Sequence, residues 1–231
     1  HLERLEAVFA RLRWAKLKLK PSKCSFLHRK VAFLGHIVSG AGIEMQSEKV
    51  ELVKSWPRPR DLHEVRSFLG LCGYYRRFVA DFSIIAGPLY DLMKKGNRFC
   101  WSDECENAFE TLKEKLTTAP VLGMPANDGE YILDTDASDL GLGAVLSQVQ
   151  DGVEKPIAYA SRTLSAPEKN CETTRKELLA VVNGLKQFRQ YLLGRPFKIR
   201  TDHSALSWLR RTPEPLPQLA DTSGRACPAR R

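Results

Sequence analysis

The amino-acid sequence predicts an α/β protein (α+β overall), with a mainly helical first half and a mixed sheet in the second half. Apolar residues recur at helical spacing through much of residues 1–118. Three short segments of strand character then follow, and a long amphipathic helix separates them from a fourth such segment. A chain of 231 residues is long enough for one large domain or two small ones.

Residues 1–46 predict a helix followed by a hairpin. Apolar residues repeat at helical spacing over residues 2–19 opposite a basic face, and Pro21 ends this pattern. Residues 31–38 have the character of one strand. Residues 39–42 predict a turn before a second short strand, so a hairpin is expected here.

Residues 47–118 predict four helices. The expected spans are 48–56, 61–81, 88–94 with proline in its first turn, and a helix capped by Ser102. Apolar stripes on the second and fourth helices are expected in the core because they keep helical spacing. These stripes are Val65, Phe68, Leu69, Cys72, Tyr75 and Val79, then Cys105, Ala108, Phe109, Leu112 and Leu116.

Residues 119–129 predict a linker, and a sheet follows it. The expected elements are strands at 131–135, 142–148 and 156–161, a helix at 173–193, a strand at 197–201 and a short helix at 204–210. A right-handed crossover places the fourth strand parallel to an earlier one. If the fourth strand lies beside the first, the direction in which successive strands are added across the sheet reverses at that point. Ligands bind at such switch points.

The basic charge is concentrated at the amino terminus. Residues 1–30 hold nine basic and two acidic side chains, a net charge of +7 out of +9 for the whole chain. This excess fits contact with a polyanion, although a solvated surface helix also explains it. No apolar run is long enough to span a bilayer. Six scattered cysteines without CxxC pairs argue against a zinc site or a disulfide framework and favour an intracellular location, in cytoplasm or nucleus.

Three carboxylates occupy positions suited to chemistry. Asp136 ends the first predicted strand, Asp202 ends the fourth, and Glu177 lies one turn into the helix between them. Oxygen ligands suit Mg²⁺ and Mn²⁺. Two such ions about 3.5 to 4 Å apart would activate water and stabilise the leaving oxygen in phosphodiester cleavage.

Each of these acids also has a structural interpretation. Glu177 follows Thr174 by three residues, as in a capping box. Asp136 and Asp202 could be turn residues that close their strands. The neighbouring Asp134 and Asp139 are expected to have surface roles.

Five long strings of residues in the second half of the chain form one pattern: residues 135–138, 141–148, 158–164, 176–182 and 201–206. In this order they resemble the ribonuclease H domain of gypsy-type LTR retrotransposons. The resemblance implies cleavage of the RNA strand of RNA–DNA hybrids with two Mg²⁺ ions, or Mn²⁺ in their place. It also implies that Asp136, Glu177 and Asp202 are the metal-binding catalytic acids, which leaves capping as a subsidiary role for Glu177.

The first half is similar to other parts of the reverse transcriptases that these retrotransposons encode. Residues 33–38 resemble the hairpin that grips the primer end, residues 56–59, 67–71 and 74–78 the thumb, and residues 99–102 and 119–122 the connection. The implied nucleic-acid-binding residues are Phe33, Leu34, Gly35, His36, Arg76 and Arg77. Gly35 would allow close approach to a nucleic-acid backbone, but an ordinary hairpin explains it as well. Exposed helix arginines are often simply solvated.

The resemblance divides the chain into five parts. They are the end of the palm with a primer-grip-like hairpin (1–46), a thumb-like region (47–98), a connection (99–125), an incomplete ribonuclease H-like domain (126–211) and a disordered tail (212–231). The Tyr-x-Asp-Asp turn of the polymerase is absent from these residues. So are the last strand, the last helix and the fourth catalytic aspartate that a complete domain would have, which suggests a truncated copy.

The predicted function is therefore that of a reverse transcriptase segment. Its expected partners are RNA–DNA hybrid, template-primer and the remainder of the polyprotein, with no membrane. The alternative is a non-catalytic remnant that binds nucleic acid without hydrolysing it.

Overall fold

A computed structural model describes residues 1–94, 96 and 98–201. The α-helices are α1 (Leu2–Trp14), α2 (Ser47–Lys54), α3 (Leu62–Tyr74), α4 (Phe82–Ile85), α5 (Gly87–Leu92), α6 (Asp103–Thr117), α7 (Ala166–Lys169), α8 (Thr173–Gln187) and α9 (Arg189–Leu192). The strands are β1 (Lys30–Phe33), β2 (His36–Ser39), β3 (Gly42–Met45), β4 (Tyr131–Ala137), β5 (Gly141–Gln150), β6 (Val153–Thr163) and β7 (Phe197–Arg200). The predicted helix at 204–210, the predicted tail and Asp202 lie outside the described residues. Within those residues, no helix has the length and apolar character to cross a membrane.

The first helix ends five residues before its predicted end. Lys16 adopts a left-handed conformation, with φ of 55°. The Leu17 amide then donates to the Leu12 carbonyl at 3.0 Å, and the Lys16 amide donates to the Arg13 carbonyl at 3.1 Å. This pair of bonds is a Schellman motif, which closes α1 at Trp14 before Pro21 is reached.

The first sheet contains three antiparallel strands in the order β1-β2-β3. The prediction of one strand over residues 31–38 is wrong, because the chain turns within it. Leu34 and Gly35 have φ of 48° and 77°, and Phe33 pairs with His36 across the resulting two-residue turn. Two consecutive residues with positive φ are typical of tight hairpin turns, since their twist matches that of the strands.

The helical region has the predicted core but a different path. All six apolar residues of the stripe that begins at Val65 are buried. The prediction of a single helix over 61–81 is wrong. The α-helix ends at Tyr74, a 3₁₀ turn covers Arg76–Phe78, and α4 begins after Asp81, whose φ is 54°. This break is tertiary in origin, because it lets the Phe78 and Phe82 rings enter the core that contains Phe68.

The last helix of this region, α6, was predicted correctly. The Ser102 hydroxyl accepts a hydrogen bond from the Cys105 amide at 3.4 Å and so caps the helix. All five residues of its predicted apolar stripe, from Cys105 to Leu116, are buried.

The second sheet has the strand order β6-β5-β4-β7. Neighbouring strands are antiparallel except β4 and β7, which are parallel. This confirms the prediction that the fourth strand is parallel to an earlier one, and it meets the condition that the fourth strand lies beside the first. The mixed helix and sheet architecture confirms the predicted fold class.

Helix α8 packs on β4 and β5 through a face that hydrophobicity did not identify. Its buried residues are Lys176, Glu177, Ala180 and Gly184. The apolar residues at helical spacing from Leu178 onwards behave in two ways. Leu178, Val181, Val182 and Leu185 are only partly buried, whereas Phe188 and Leu192, after the end of α8, are buried. Small residues face the sheet because the approach is close: a Cβ atom on Gly184 would lie 3.2 Å from Leu133 Cδ1.

The cysteines of the described residues differ in state. Cys24, Cys72, Cys100 and Cys105 carry free thiols. Burial raises the pKa of Cys72 to about 12. Cys171 Sγ lies 3.8 Å from the Pro167 carbonyl oxygen at α7.

Candidate active site and nucleic-acid interface

Asp136 lies near the carboxyl end of β4 with an exposed side chain. Its neighbour Thr135 is buried, and successive residues of a strand point to opposite faces of the sheet. Leu133 faces α8, because it is the side chain that a Cβ atom on Gly184 would meet. Asp136 therefore projects from the face opposite α8, the helix that carries Glu177, and it pairs with Gly143 of β5.

A second carboxylate, that of Asp81, comes close to Asp136 on this face. A Cβ atom on Gly143 would lie 2.8 Å from Asp81 Oδ1. Partial burial and then the Asp136 carboxylate raise the pKa of Asp81, while Lys115 lowers it. Sequence reasoning missed Asp81, because it belongs to the helical region and reaches the sheet only through tertiary packing.

Glu177 lies one turn into α8 and is 4% exposed. The alternative interpretation of this residue as part of a capping box is wrong. Helix α8 begins at Thr173 with Glu172 at the N-cap position and without a side-chain capping bond. A capping box is present instead at α7, between Ser165 and Glu168.

The two neighbouring aspartates are engaged in ion pairs. Both carboxylate oxygens of Asp134 accept hydrogen bonds from Arg200, at 2.6 and 2.8 Å, and Arg200 also donates to Glu154. The Asp139 carboxylate accepts from the buried Lys176 ammonium group at 2.6 Å. This hydrogen bond and the charge of Lys176 lower the pKa of Asp139. Both aspartates thus have structural partners, as expected.

The carboxylates present have the oxygen chemistry that Mg²⁺ prefers, but the described residues do not complete a metal centre. Within residues 1–94, 96 and 98–201, no group of three or more His, Cys, Asp or Glu side chains could hold a metal ion. The fit to divalent ions therefore depends on Asp202, outside these residues. The three-acid site stays a prediction.

The predicted nucleic-acid-gripping hairpin ends in an exposed apolar tip. Phe33 is 62% exposed and Leu34 is 69% exposed. Two tyrosine hydroxyl groups bind the carbonyls of the turn. The Tyr74 hydroxyl donates to the Leu34 carbonyl at 2.6 Å, and the Tyr75 hydroxyl donates to the Gly35 carbonyl at 2.9 Å. The tip therefore has a fixed backbone and free side chains.

His36 lies at the base of the same turn in an aromatic cluster. Its ring stacks on Tyr74 with centroids 5.4 Å apart and contacts Tyr75 edge-on at 5.3 Å. Burial and then the charge of Arg77 lower the pKa of His36. Its environment is that of a packed, neutral imidazole.

The two candidate phosphate-binding arginines contact the second sheet. Arg76 donates to the Ser161 carbonyl of β6 at 2.7 Å, and Arg77 donates to the Ile157 carbonyl of the same strand at 3.3 Å. The Ser83 amide donates to the Ser161 hydroxyl at 2.8 Å and adds to this junction. Both guanidinium groups thus tie the helical region to the sheet.

Comparison with known families identifies the kind of domain that contains the second sheet. Residues 101–199 match the model of the "RNase H-like domain found in reverse transcriptase". This part of the chain is an RNase H-like domain of a reverse transcriptase, as the motifs predicted.

The relatives identify the larger protein type. The chain is 44% identical over 216 residues to the Retrovirus-related Pol polyprotein from transposon 297 of Drosophila melanogaster, covering 93% of the chain and 20% of that relative. It is 39% identical to the polyprotein from transposon 412 of the same species, covering 90% of the chain and 17% of that relative. It is 36% identical to the Transposon Tf2-3 polyprotein of Schizosaccharomyces pombe, covering 89% and 16%. The chain is a segment of a retrotransposon Pol polyprotein and spans a fifth or less of these relatives.

Solved structures of similar fold come from a foamy virus. The "foamy viral protease-reverse transcriptase dRH in complex with ds DNA" superposes with a TM-score of 0.76 at 30% identity, covering 94% of this chain and 38% of that one. The same enzyme "in complex with RNA/DNA hybrid" also gives 0.76 at 30% identity, covering 92% and 29%. The likeness extends through both the helical region and the second sheet.

Proposed function

We propose that this segment cleaves the RNA strand of RNA–DNA hybrids in a metal-dependent reaction and binds template-primer through its first half. Asp136, Glu177 and Asp202 would hold two Mg²⁺ ions, or Mn²⁺ ions in their place. The observation that carries the proposal is the exposed Asp136 carboxylate at the switch point between β4 and its parallel neighbour β7.

Two of the proposed acids have the same spacing in the chain as the paired residues of β4 and β7. Paired residues of β4 and β7, such as Asp134 and Arg200, are separated by 66 positions. Asp136 and Asp202 are separated by the same number.

The surroundings of Asp136 and Glu177 suit the two acids to different roles. Exposure of Asp136 leaves its carboxylate accessible to a bulky phosphodiester, and burial of Glu177 restricts its carboxylate to few orientations. When bound, the ions would supply an activated water and stabilise the leaving oxygen. Asp81 adds negative charge beside Asp136 and so would favour cations at this face.

Nucleic-acid binding is proposed for residues 1–30 and for the hairpin tip. The net charge of +7 in residues 1–30 suits a phosphate backbone. The foamy virus enzyme is described in complexes with double-stranded DNA and with hybrid. Because Arg76 and Arg77 already donate to β6 carbonyls, we assign them to the junction between the two regions and place the phosphate contacts elsewhere. An intracellular location and the rest of the polyprotein as a partner belong to this proposal.

A non-catalytic nucleic-acid-binding role is the second candidate. It is favoured by the net charge of +7 in residues 1–30, which suits contact with a phosphate backbone whether or not the backbone is cleaved. The two candidates separate in an assay with an end-labelled RNA–DNA hybrid and a matched double-stranded DNA. Cleavage of the RNA strand that needs Mg²⁺ and stops with chelator supports the nuclease. Binding of the hybrid without cleavage over a range of Mg²⁺ and Mn²⁺ concentrations supports the second candidate.

A further inference from the structure

We propose that Tyr74 and Tyr75 are positioning residues that hold the Leu34–Gly35 turn as a rigid apolar tip for the recessed end of a nucleic-acid duplex. The inference rests on the proposed template-primer binding and deepens it. It assigns a function to the end of α3, a helix whose other conspicuous residues lie in the core.

The turn is fixed by hydrogen bonds from outside the hairpin. Tyr74 and Tyr75 donate to two consecutive carbonyls, those of Leu34 and Gly35, from 40 positions further along the chain. The Gly35 carbonyl also accepts from the Gln46 amide at 3.1 Å. Because both peptide planes of the turn are bound, the tip cannot rotate without breaking these bonds.

Packing makes the arrangement specific. The Tyr74 ring is stacked against His36 at an interplanar angle of 9°, which limits its side-chain rotation. The Tyr75 hydroxyl approaches so closely that a Cβ atom on Gly35 would lie 2.6 Å from it. Gly35 also has φ of 77°, so both the space and the backbone conformation require glycine.

The result is an exposed apolar surface at the point of the hairpin. Leu34 has φ of 48°, a conformation that costs energy for a leucine and persists only where the surroundings enforce it. Phe33 precedes it, and Arg29 lies just before β1, while Lys30 forms an ion pair with Glu44 at 3.6 Å. Aromatic and apolar groups beside a cation suit the exposed base face and the phosphates at the end of a duplex.

The test removes the two hydroxyl groups and keeps the rings. The double variant Tyr74→Phe/Tyr75→Phe is compared with the parent chain and with Tyr90→Phe, a matched control at an exposed tyrosine of α5. Hydrogen exchange of the amides in residues 33–39 reports on the turn. Fluorescence anisotropy reports on affinity for an RNA template carrying a DNA primer with a recessed 3′ end, and for a blunt duplex of equal length.

We expect faster exchange in residues 33–39 of the double variant by about tenfold or more, since each net hydrogen bond changes an opening equilibrium several-fold. Affinity for the recessed end should fall about fivefold, and affinity for the blunt duplex should not change. The slope of log affinity against log salt should also stay constant, because no cation is removed. A second variant, Leu34→Ser, should lose affinity for the recessed end without faster exchange of the other turn amides.

Each other result counts against the proposal. Unchanged exchange would show that the hydroxyls do not hold the turn. Faster exchange with unchanged affinity would show that a fixed tip is not needed. A parent chain that binds neither duplex would refute the proposed binding function and the role of the tip with it, while the exchange rates would still report on the tyrosine contacts separately.

Discussion

Gly42 should be essential for joining the hairpin to the segment that leads into the second sheet. The Ile43 amide donates to the Leu122 carbonyl at 2.7 Å, and the Leu122 amide donates back to the Ile43 carbonyl at 2.8 Å. Gly42 has φ of 139°, and a Cβ atom there would lie 2.1 Å from the Leu122 carbonyl oxygen. Alanine therefore cannot be accommodated without breaking this bridge.

The cost of Gly42→Ala follows from these contacts. Loss of two backbone hydrogen bonds costs about 1 kcal/mol each, and strain at a glycine conformation adds about 1 to 3 kcal/mol. We expect the free energy of unfolding to fall by about 3 to 5 kcal/mol in urea denaturation. Gly40→Ala is the matched control, because nothing lies within 4 Å of a Cβ atom at that position. Its effect should stay within about 0.5 kcal/mol. A loss below about 1 kcal/mol in Gly42→Ala would refute the reasoning.

Three further predictions concern pH, thiols and salt. Arg162 and the α7 capping box lower the pKa of Glu168 to about 2. Their contribution to stability is therefore present above the ordinary pKa of 4.5 and is lost as pH falls towards 2. Glu168→Gln should lower the free energy of unfolding by about 1 to 2 kcal/mol at pH 7 and make it depend less on pH between pH 5 and 2. An unchanged pH dependence over this range, measured by urea denaturation, would contradict this. Mass-spectrometric mapping with maleimide should find exposed Cys100 labelled rapidly in the native protein and buried Cys72 only on unfolding; rapid native labelling of Cys72 would contradict its burial. Deletion of residues 1–30 should reduce the slope of log affinity for hybrid against log salt by as much as about 6, at about 0.9 per phosphate contact; an unchanged slope would place the contacts elsewhere.

The second sheet was largely predictable from the sequence. The right-handed crossover rule predicts that β7 is parallel to an earlier strand, and the structure pairs it in parallel with β4. Asp136 was predicted at the end of the first strand of this sheet. Asp136 lies there with an exposed side chain. These features depend on local patterns and on general rules of chain topology, which a single sequence contains.

Other features depend on contacts between distant segments. The turn at Leu34–Gly35 interrupts a continuous apolar run, and a leucine at positive φ is not a local sequence signal. The end of α3 is set by core packing and by the contacts of Tyr74 with the hairpin. The carboxylate of Asp81 reaches Asp136 only because α4 packs near the sheet. Each of these would require knowledge of the tertiary structure.

The contact face of α8 shows a limit of hydrophobic periodicity. Leu178 and Val181 have the size expected for a core stripe but are only partly buried. Ala180 and Gly184 are buried instead, and at Gly184 the strands approach so closely that a Cβ atom would lie 3.2 Å from Leu133 Cδ1. Side-chain volume at a close interface, rather than hydrophobicity alone, selects this face.

Asp136 is proposed to belong to a metal-dependent nuclease site, and the cleavage rate of the Asp136→Asn variant tests this assignment most directly. Cleavage of the RNA strand of a labelled hybrid is measured at saturating Mg²⁺ for the parent chain, for Asp136→Asn and for Asp151→Asn. Asp151→Asn makes the same change of charge in an exposed turn, at φ of 53°, where asparagine is well tolerated. We expect Asp136→Asn to reduce the cleavage rate at least about 100-fold, the upper end of the loss for a residue that supports a metal ligand. Asp151→Asn should cleave like the parent. Equal cleavage by Asp136→Asn and the parent would contradict the assignment of the site.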